Sequence, residues 1–190
     1  MSASKVLLIV LVVLLGGALL VGGCAYSGYK STARLDEQVH GAWADVEVVL
    51  KRRFDLIPNI VETVKGYATH EKELFQGIAD VRKSYFSANS MSEKAKAAGA
   101  LEGMLSRLLV LRETYPDLKA NENFRALQIE LEGTENRIAE MRKRYNGAVK
   151  TLNAHVRVFP GSLYAGWVGA QKAEYFEAGE AAQEAPKVSF

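Results

Sequence analysis

The side chains that could carry metal, nucleophilic or acid–base chemistry are few in this chain, and their spacing does not suit that work. His40, His70 and His155 lie far apart in sequence. His70-Glu71-Lys72-Glu73-Leu74 opens like a zinc-protease helix, but Leu74 stands where the second histidine is required. Without a second imidazole one turn on, the paired grip on zinc is missing. Glu37-x-x-His40 is half of a di-iron bundle site, and no second Glu-x-x-His follows to complete it. No P-loop, no G-x-S-x-G elbow and no Gly-rich dinucleotide turn is present. Cys24 is the one cysteine, which excludes an intramolecular disulfide and a Cys-rich zinc site. The residues therefore predict no catalytic set, no cofactor and no metal.

Two polar residues stand out because they interrupt otherwise apolar seams: Glu71 and Thr134. A lone carboxylate in a helix interface is costly to bury. Functionally, Glu71 would be a proton, metal or ligand site. Structurally, it would join a buried network with Thr134, Tyr145 or an arginine and fix helix register. A slight helix rotation would instead leave it at the rim. Glu71, Thr134 and Tyr145 are the candidate polar core.

The elements that must position these residues are helices. Over residues 31–155 apolar residues recur in alternating steps of three and four, the pattern of packed helices. The first seam holds Leu35, Val39, Ala42, Val46 and Val49; the second runs from Ile57, Ile60, Val64 and Tyr67 through Glu71 to Leu74, Ile78, Val81 and Tyr85. The third holds Ala97, Leu101, Met104, Leu108, Leu111 and Tyr115, and the fourth runs from Phe124 to Leu152. Ser90 with Glu93 is a capping-box pattern, Tyr115-Pro116 is a stop, and Asn121 is a cap for the fourth helix. Asp55 as a cap and Pro58 in a first turn predict a chain reversal at residues 55–58, with a bent continuous helix as the alternative. The expected fold is all-α: an antiparallel up-and-down four-helix bundle preceded by an N-terminal hydrophobic helix.

The chain has 190 residues, with 24 Lys+Arg against 22 Asp+Glu. That balance argues against nucleic acid as a partner. The average conceals a split, since residues 6–21 read VLLIVLVVLLGGALLV and no charge falls between Lys5 and Lys30. Three fates compete for this leader: a transmembrane helix, a cleaved secretory signal, or a lipoprotein signal. Val21-Gly22-Gly23-Cys24 looks like a lipobox, and lipidation at Cys24 is the leading expectation, with an uncleaved anchor second. Lys5 favours a cytoplasmic N-terminus and a C-terminal domain on the non-cytoplasmic side. The expected domains are residues 1–30 as anchor or signal with its juxtamembrane segment, 31–157 as the bundle, and 158–190 as an aromatic-rich segment docking on it. Phe159, Tyr164, Trp167, Tyr175, Phe176 and Phe190 are too many aromatics for a disordered tail; docking on the bundle is the leading expectation, and an aromatic patch for a partner or the membrane interface is the alternative.

Arg52-Arg53-Phe54-Asp55-Leu56-Ile57-Pro58-Asn59-Ile60-Val61-Glu62-Thr63-Val64-Lys65-Gly66-Tyr67-Ala68 closely resembles the signature of the LemA family. Leu131-Glu132-Gly133-Thr134-Glu135-Asn136-Arg137-Ile138 and Arg144-Tyr145-Asn146 resemble its second signature, with Phe159-Pro160 after them. The resemblance implies a bacterial envelope protein with a hydrophobic anchor and an antiparallel helical bundle, in a family with no established enzymatic activity. Some members resemble magnetosome-membrane proteins, and others are associated with membrane proteases. Cys24 departs from the commoner anchored form and points to a lipoprotein branch. Asp55, Asn59, Lys65, Glu71, Glu132, Asn136 and Arg137 match the signature, but no family active site comes with them. The expected function is a non-catalytic, anchored scaffold or adaptor. Its expected partners are the membrane, a second copy of the chain, and a membrane protease or other envelope protein. The alternative is a ligand-binding or enzymatic bundle built around Glu71.

Overall fold

The structure, a computed structural model, describes residues 3–177, which are mostly helical, with no strand among them. Six helices follow in order: α1 (Ala3–Lys65), α2 (Lys72–Ser87), α3 (Met91–Thr114), α4 (Pro116–Ala120), α5 (Glu122–Arg157) and α6 (Gly161–Val168). Phe190 lies outside the described residues. The chain forms two compact units, one of Met1–Gly41 with Gly147–Ala173 and the other of Ala42–Asn146 with Glu174–Phe190.

The expected reversal at residues 55–58 does not occur. α1 runs unbroken through Pro58 and turns only after Lys65. The reason lies in a stripe that carries straight across the proline: Trp43, Val46, Leu50, Phe54, Ile57, Ile60 and Val64 are all buried. Their alternating steps keep one face of a single helix against its neighbours. Proline lacks an N–H, so the Phe54 carbonyl one turn back has no helical donor. Arg82 of α2 supplies one, its Nε donating to Phe54 O at 3.3 Å. The Arg82 guanidinium also lies over the Phe86 ring, 4.8 Å from its centroid. The helix ends where Gly66 removes about 1 kcal/mol of helix propensity relative to alanine, and the N–H groups of Tyr67 and Ala68 both donate to Val64 O.

In the second unit, α2 lies on α1 through Phe54 and Tyr85, whose rings stack 4.0 Å apart, and through Lys65 over the Phe75 ring. α3 opens with the expected capping box. Ser90 Oγ accepts from Glu93 N at 3.1 Å, and the Glu93 carboxylate accepts from the N–H groups of Asn89 and Ser90. Those two donors hold the Glu93 carboxyl below the usual carboxylate range. Tyr115 ends α3, and Pro116 begins the short α4, with Leu118 buried. Asn121 caps α5 through Oδ1, which accepts from Phe124 N at 2.9 Å.

In the first unit, the stretch of α1 up to Val21 is exposed wherever its side chains are described. Further on, Thr32 and Val39 are buried, as are Val149, Leu152 and Asn153 of α5. α5 ends at Arg157, before the cis Phe159–Pro160 peptide and α6.

Pro58 is exposed, so Pro58→Ala removes no buried packing while restoring a backbone donor for Phe54 O. A continuous α1 predicts a gain in thermal stability, by circular dichroism in detergent, of up to about 3 kcal/mol. Loss of stability in this variant would contradict continuity.

Candidate functional site

The signature segment of α1 concentrates the charged and aromatic contacts of the second unit. Arg52 donates to Glu130 of α5 at 2.8 Å. Arg53, next in sequence, belongs to the core: it is 8% exposed and donates through Nη1 to Glu135. Its Nε is buried without a partner. The crevice beside it, lined by Leu50, Glu135, Arg142 and Phe176 among others, is only about 10 Å³. That is near the minimum for a single water and far below the several hundred Å³ of a ligand site. Arg53 is thus a structural charge, tying α1 to α5, rather than a ligand-binding one.

On α2, Tyr85 is almost wholly buried between Phe54 and Phe86. Burial, with the charges of Glu47 and Asp55, pushes its phenol up to about 12. The unfolded chain would lose this proton near pH 10. Stability from the neutral phenol is therefore complete below pH 10 and is withdrawn as pH rises towards 12. Lys94 of α3 pairs with Glu47 and reaches over the same ring. The open groove beside these rings, about 530 Å³, is lined by Asp55, Ala79, Arg82, Lys83, Phe86 and Ser87. Arg82, one of its two cations, is committed to Phe54 O and Phe86.

Glu71 lies in the turn between α1 and α2, half-buried at the N-cap of α2, and its side chain makes no capping bond. The seam that would have carried it inward stops at Lys65, because residues 66–71 are not helical. Thr134 is buried on α5 and donates to Leu131 O at 2.7 Å, so its hydroxyl is satisfied within its own helix. Tyr145 is buried and donates to Glu174 O at 2.8 Å. Burial raises its phenol pKa as well, with a smaller push from Glu174. No hydrogen bond or ion pair among the described residues joins Glu71 to Thr134 or Tyr145. No three of His, Cys, Asp and Glu converge among the described residues. Cys24 is exposed on α1.

Several residues outside the candidate set matter more to the architecture. Trp43 meets Tyr145 and Phe176 edge-on at 5.3 and 6.0 Å, and Arg142 lies over the Phe176 ring. Asn146 clasps Phe176 by both backbone groups, accepting from its N–H and donating to its C=O at 2.9 and 3.0 Å. In the first unit, Asn153 clasps Ala173 in the same way, both bonds at 2.9 Å. A primary amide offers one donor and one acceptor side by side, so each asparagine stands in for a neighbouring strand. The asparagines' seven-residue spacing on α5, which returns to one helix face, was a signal available in the sequence.

α1 is the one helix among the described residues that is long and apolar enough to cross a membrane, by length and composition. An all-helical chain whose first helix is apolar enough to cross a membrane is the class of protein that the fold defines. The family model that matches is that of the LemA family, over residues 42–190, and this chain belongs to that family. It is similar to the magnetosome proteins MamQ 2 and MamQ 1 of Paramagnetospirillum magneticum (strain AMB-1), each 24% identical over 175 residues. It is also similar to MamQ of Magnetospirillum gryphiswaldense, at 23% over 174 residues. Each match covers 78% of this chain but 64% of the relative's own length.

Removing the carboxylate in Glu135→Ala strands Arg53 in the core. The expected loss is about 2–3 kcal/mol, below the 3–5 of a fully buried pair, because Glu135 is itself 36% exposed. Arg53→Met, which removes the charge and keeps the bulk, should cost less than Glu135→Ala in denaturant unfolding. The reverse order would show that the guanidinium does more than fix helix register.

Proposed function

We propose that this protein is a non-catalytic component of the bacterial cell envelope, tethered to a membrane at its N-terminus. Its helical domain, on the non-cytoplasmic side, serves as a scaffold or adaptor for membrane partners or for a second copy of itself. The observation that carries this reading is α1, whose apolar, exposed N-terminal stretch is continuous with the stripe buried in the second unit. LemA membership supports a membrane setting, and so does the likeness to proteins named as magnetosome proteins. The uncleaved helix and a lipid on Cys24 are alternative tethers that leave the domain on the same side.

Within this reading, residues 1–30 anchor, 31–157 form the bundle and 158–190 dock on it. An antiparallel four-helix arrangement draws support from contact order: Trp43 meets Tyr145, whereas Arg52 and Arg53, further along α1, meet Glu130 and Glu135, earlier on α5. A ligand or catalytic site around Glu71 draws none, since its companions Thr134 and Tyr145 are engaged elsewhere.

Chemical crosslinking in intact membranes, followed by mass spectrometry, tests the proposal. The expected products are homo-oligomers or a small defined set of envelope proteins, a membrane protease among the candidates. A protein that stays solitary under crosslinking, or is released by a carbonate wash, would contradict it.

A further inference from the structure

The segment after α5 is fixed to α1 by close, specific contacts within the first unit. The Tyr164 ring lies directly on Gly28, where any Cβ would fall 2.1 Å from a ring carbon. Thr32 Oγ1 donates its one proton to Gly28 O at 2.9 Å, so the 2.8 Å contact with His155 is donated by Nε2. Gly161, at the start of α6, meets His155 O so closely that a Cβ would lie 2.2 Å from it. Thus α6 is seated at the level of residues 28–32 of α1.

That level is where the apolar run stops. Taking residues 6–26 as the membrane-crossing stretch, at 1.5 Å per residue they span about 31 Å, the thickness of a hydrocarbon core. Gly28 then falls about 3 Å beyond, inside the headgroup layer. If the chain is instead held by lipid on Cys24, Gly28 is four residues from the acyl chains. Either tether brings α6 to the same depth.

What α6 and its approach present there is apolar and exposed, with the Trp167 ring set edge-on to Tyr164 at 5.8 Å. Phe159 is 83% and Trp167 60% exposed, with Val158 and Leu163 exposed as well. Leu163 and Trp167, four residues apart, share one face of α6. Tyr26 and Tyr29 of α1 are exposed at the same level, as are the cations Lys30 and Arg157. Tryptophan and tyrosine concentrate at the headgroup boundary, where an apolar ring and a polar edge are both accommodated. An exposed apolar cluster on a soluble face would be a liability.

We propose that residues 158–167 form an interfacial foot that inserts Phe159, Leu163 and Trp167 into the bilayer holding α1. The partner is the lipid surface itself, indicated by continuity with the exposed apolar stretch of α1. This inference rests on the membrane tether proposed above.

The test uses the full chain in phosphatidylcholine–phosphatidylglycerol vesicles, with and without lipids brominated near the top of the acyl chain. The protein has two tryptophans, and Trp43 is buried. The difference between wild type and Trp167→Phe therefore isolates Trp167, at an exposed position where the change should not disturb folding. Insertion predicts blue-shifted Trp167 emission, quenching by brominated lipid, protection from aqueous acrylamide, and loss of most of the lipid quenching in Trp167→Phe. Flotation of the same vesicles reports the tether separately. Protein that floats while Trp167 stays open to acrylamide and untouched by brominated lipid overturns the foot and leaves the tether standing. Trp167 shielded from both quenchers overturns it in favour of a protein surface. Protein that does not float overturns the tether, and the foot with it.

Discussion

A helix interior does not tolerate an unpaired carbonyl cheaply, and Pro58 creates one on Phe54 in the last part of α1. The Arg82 side chain of α2 answers that carbonyl. The consequences spread outward through named contacts. With α1 intact across the proline, Ile57, Ile60 and Val64 continue the buried stripe begun at Trp43. Because Arg82 must reach Phe54 O, Tyr85 stacks on the Phe54 ring and Phe86 packs under the guanidinium. One missing N–H thus sets the register of α2 on α1. The neighbouring Arg53 does the same for α5 through Glu135.

Much of this was legible in the sequence. The all-helical class, the capping box at Ser90 and Glu93, the stop at Tyr115-Pro116 and the cap at Asn121 all rest on local chemistry, which acts over one or two turns. The course of α1 was harder to read. Asp55 and Pro58 are ordinary opening signals for a new helix, and a neighbour's side chain outweighed them. The stripe Leu50, Phe54, Ile57, Val61 and Val64 held the counter-signal, since its steps of four and three do not break at the proline. Glu71 went astray for the converse reason: a seam drawn through Tyr67 to Leu74 presumed helix where Gly66 and the turn after it interrupt.

The site was less legible than the fold, because the informative residues act at long range. Arg53 reads as one of three basic residues suited to a helix end, yet it is buried against a helix some eighty residues away in sequence, a separation of 82. Asn146 and Asn153 look like ordinary polar residues of an exposed face until the extended chain they clasp is known. Periodicity reports which face is apolar and is silent on what covers it. The polar residues whose partners are known have local or architectural ones.

Everything above turns on α1 being one helix, unbroken across Pro58. Spin labels at Ala44 and Glu62, both exposed on α1, measure this directly in a chain whose Cys24 has been replaced by serine. Eighteen residues of continuous helix separate the backbone positions by about 27 Å. A double electron–electron resonance distance centred near that value is the predicted result. A reversal at residues 55–58 would fold the second label back alongside the first, and a distance below about 15 Å would contradict the account.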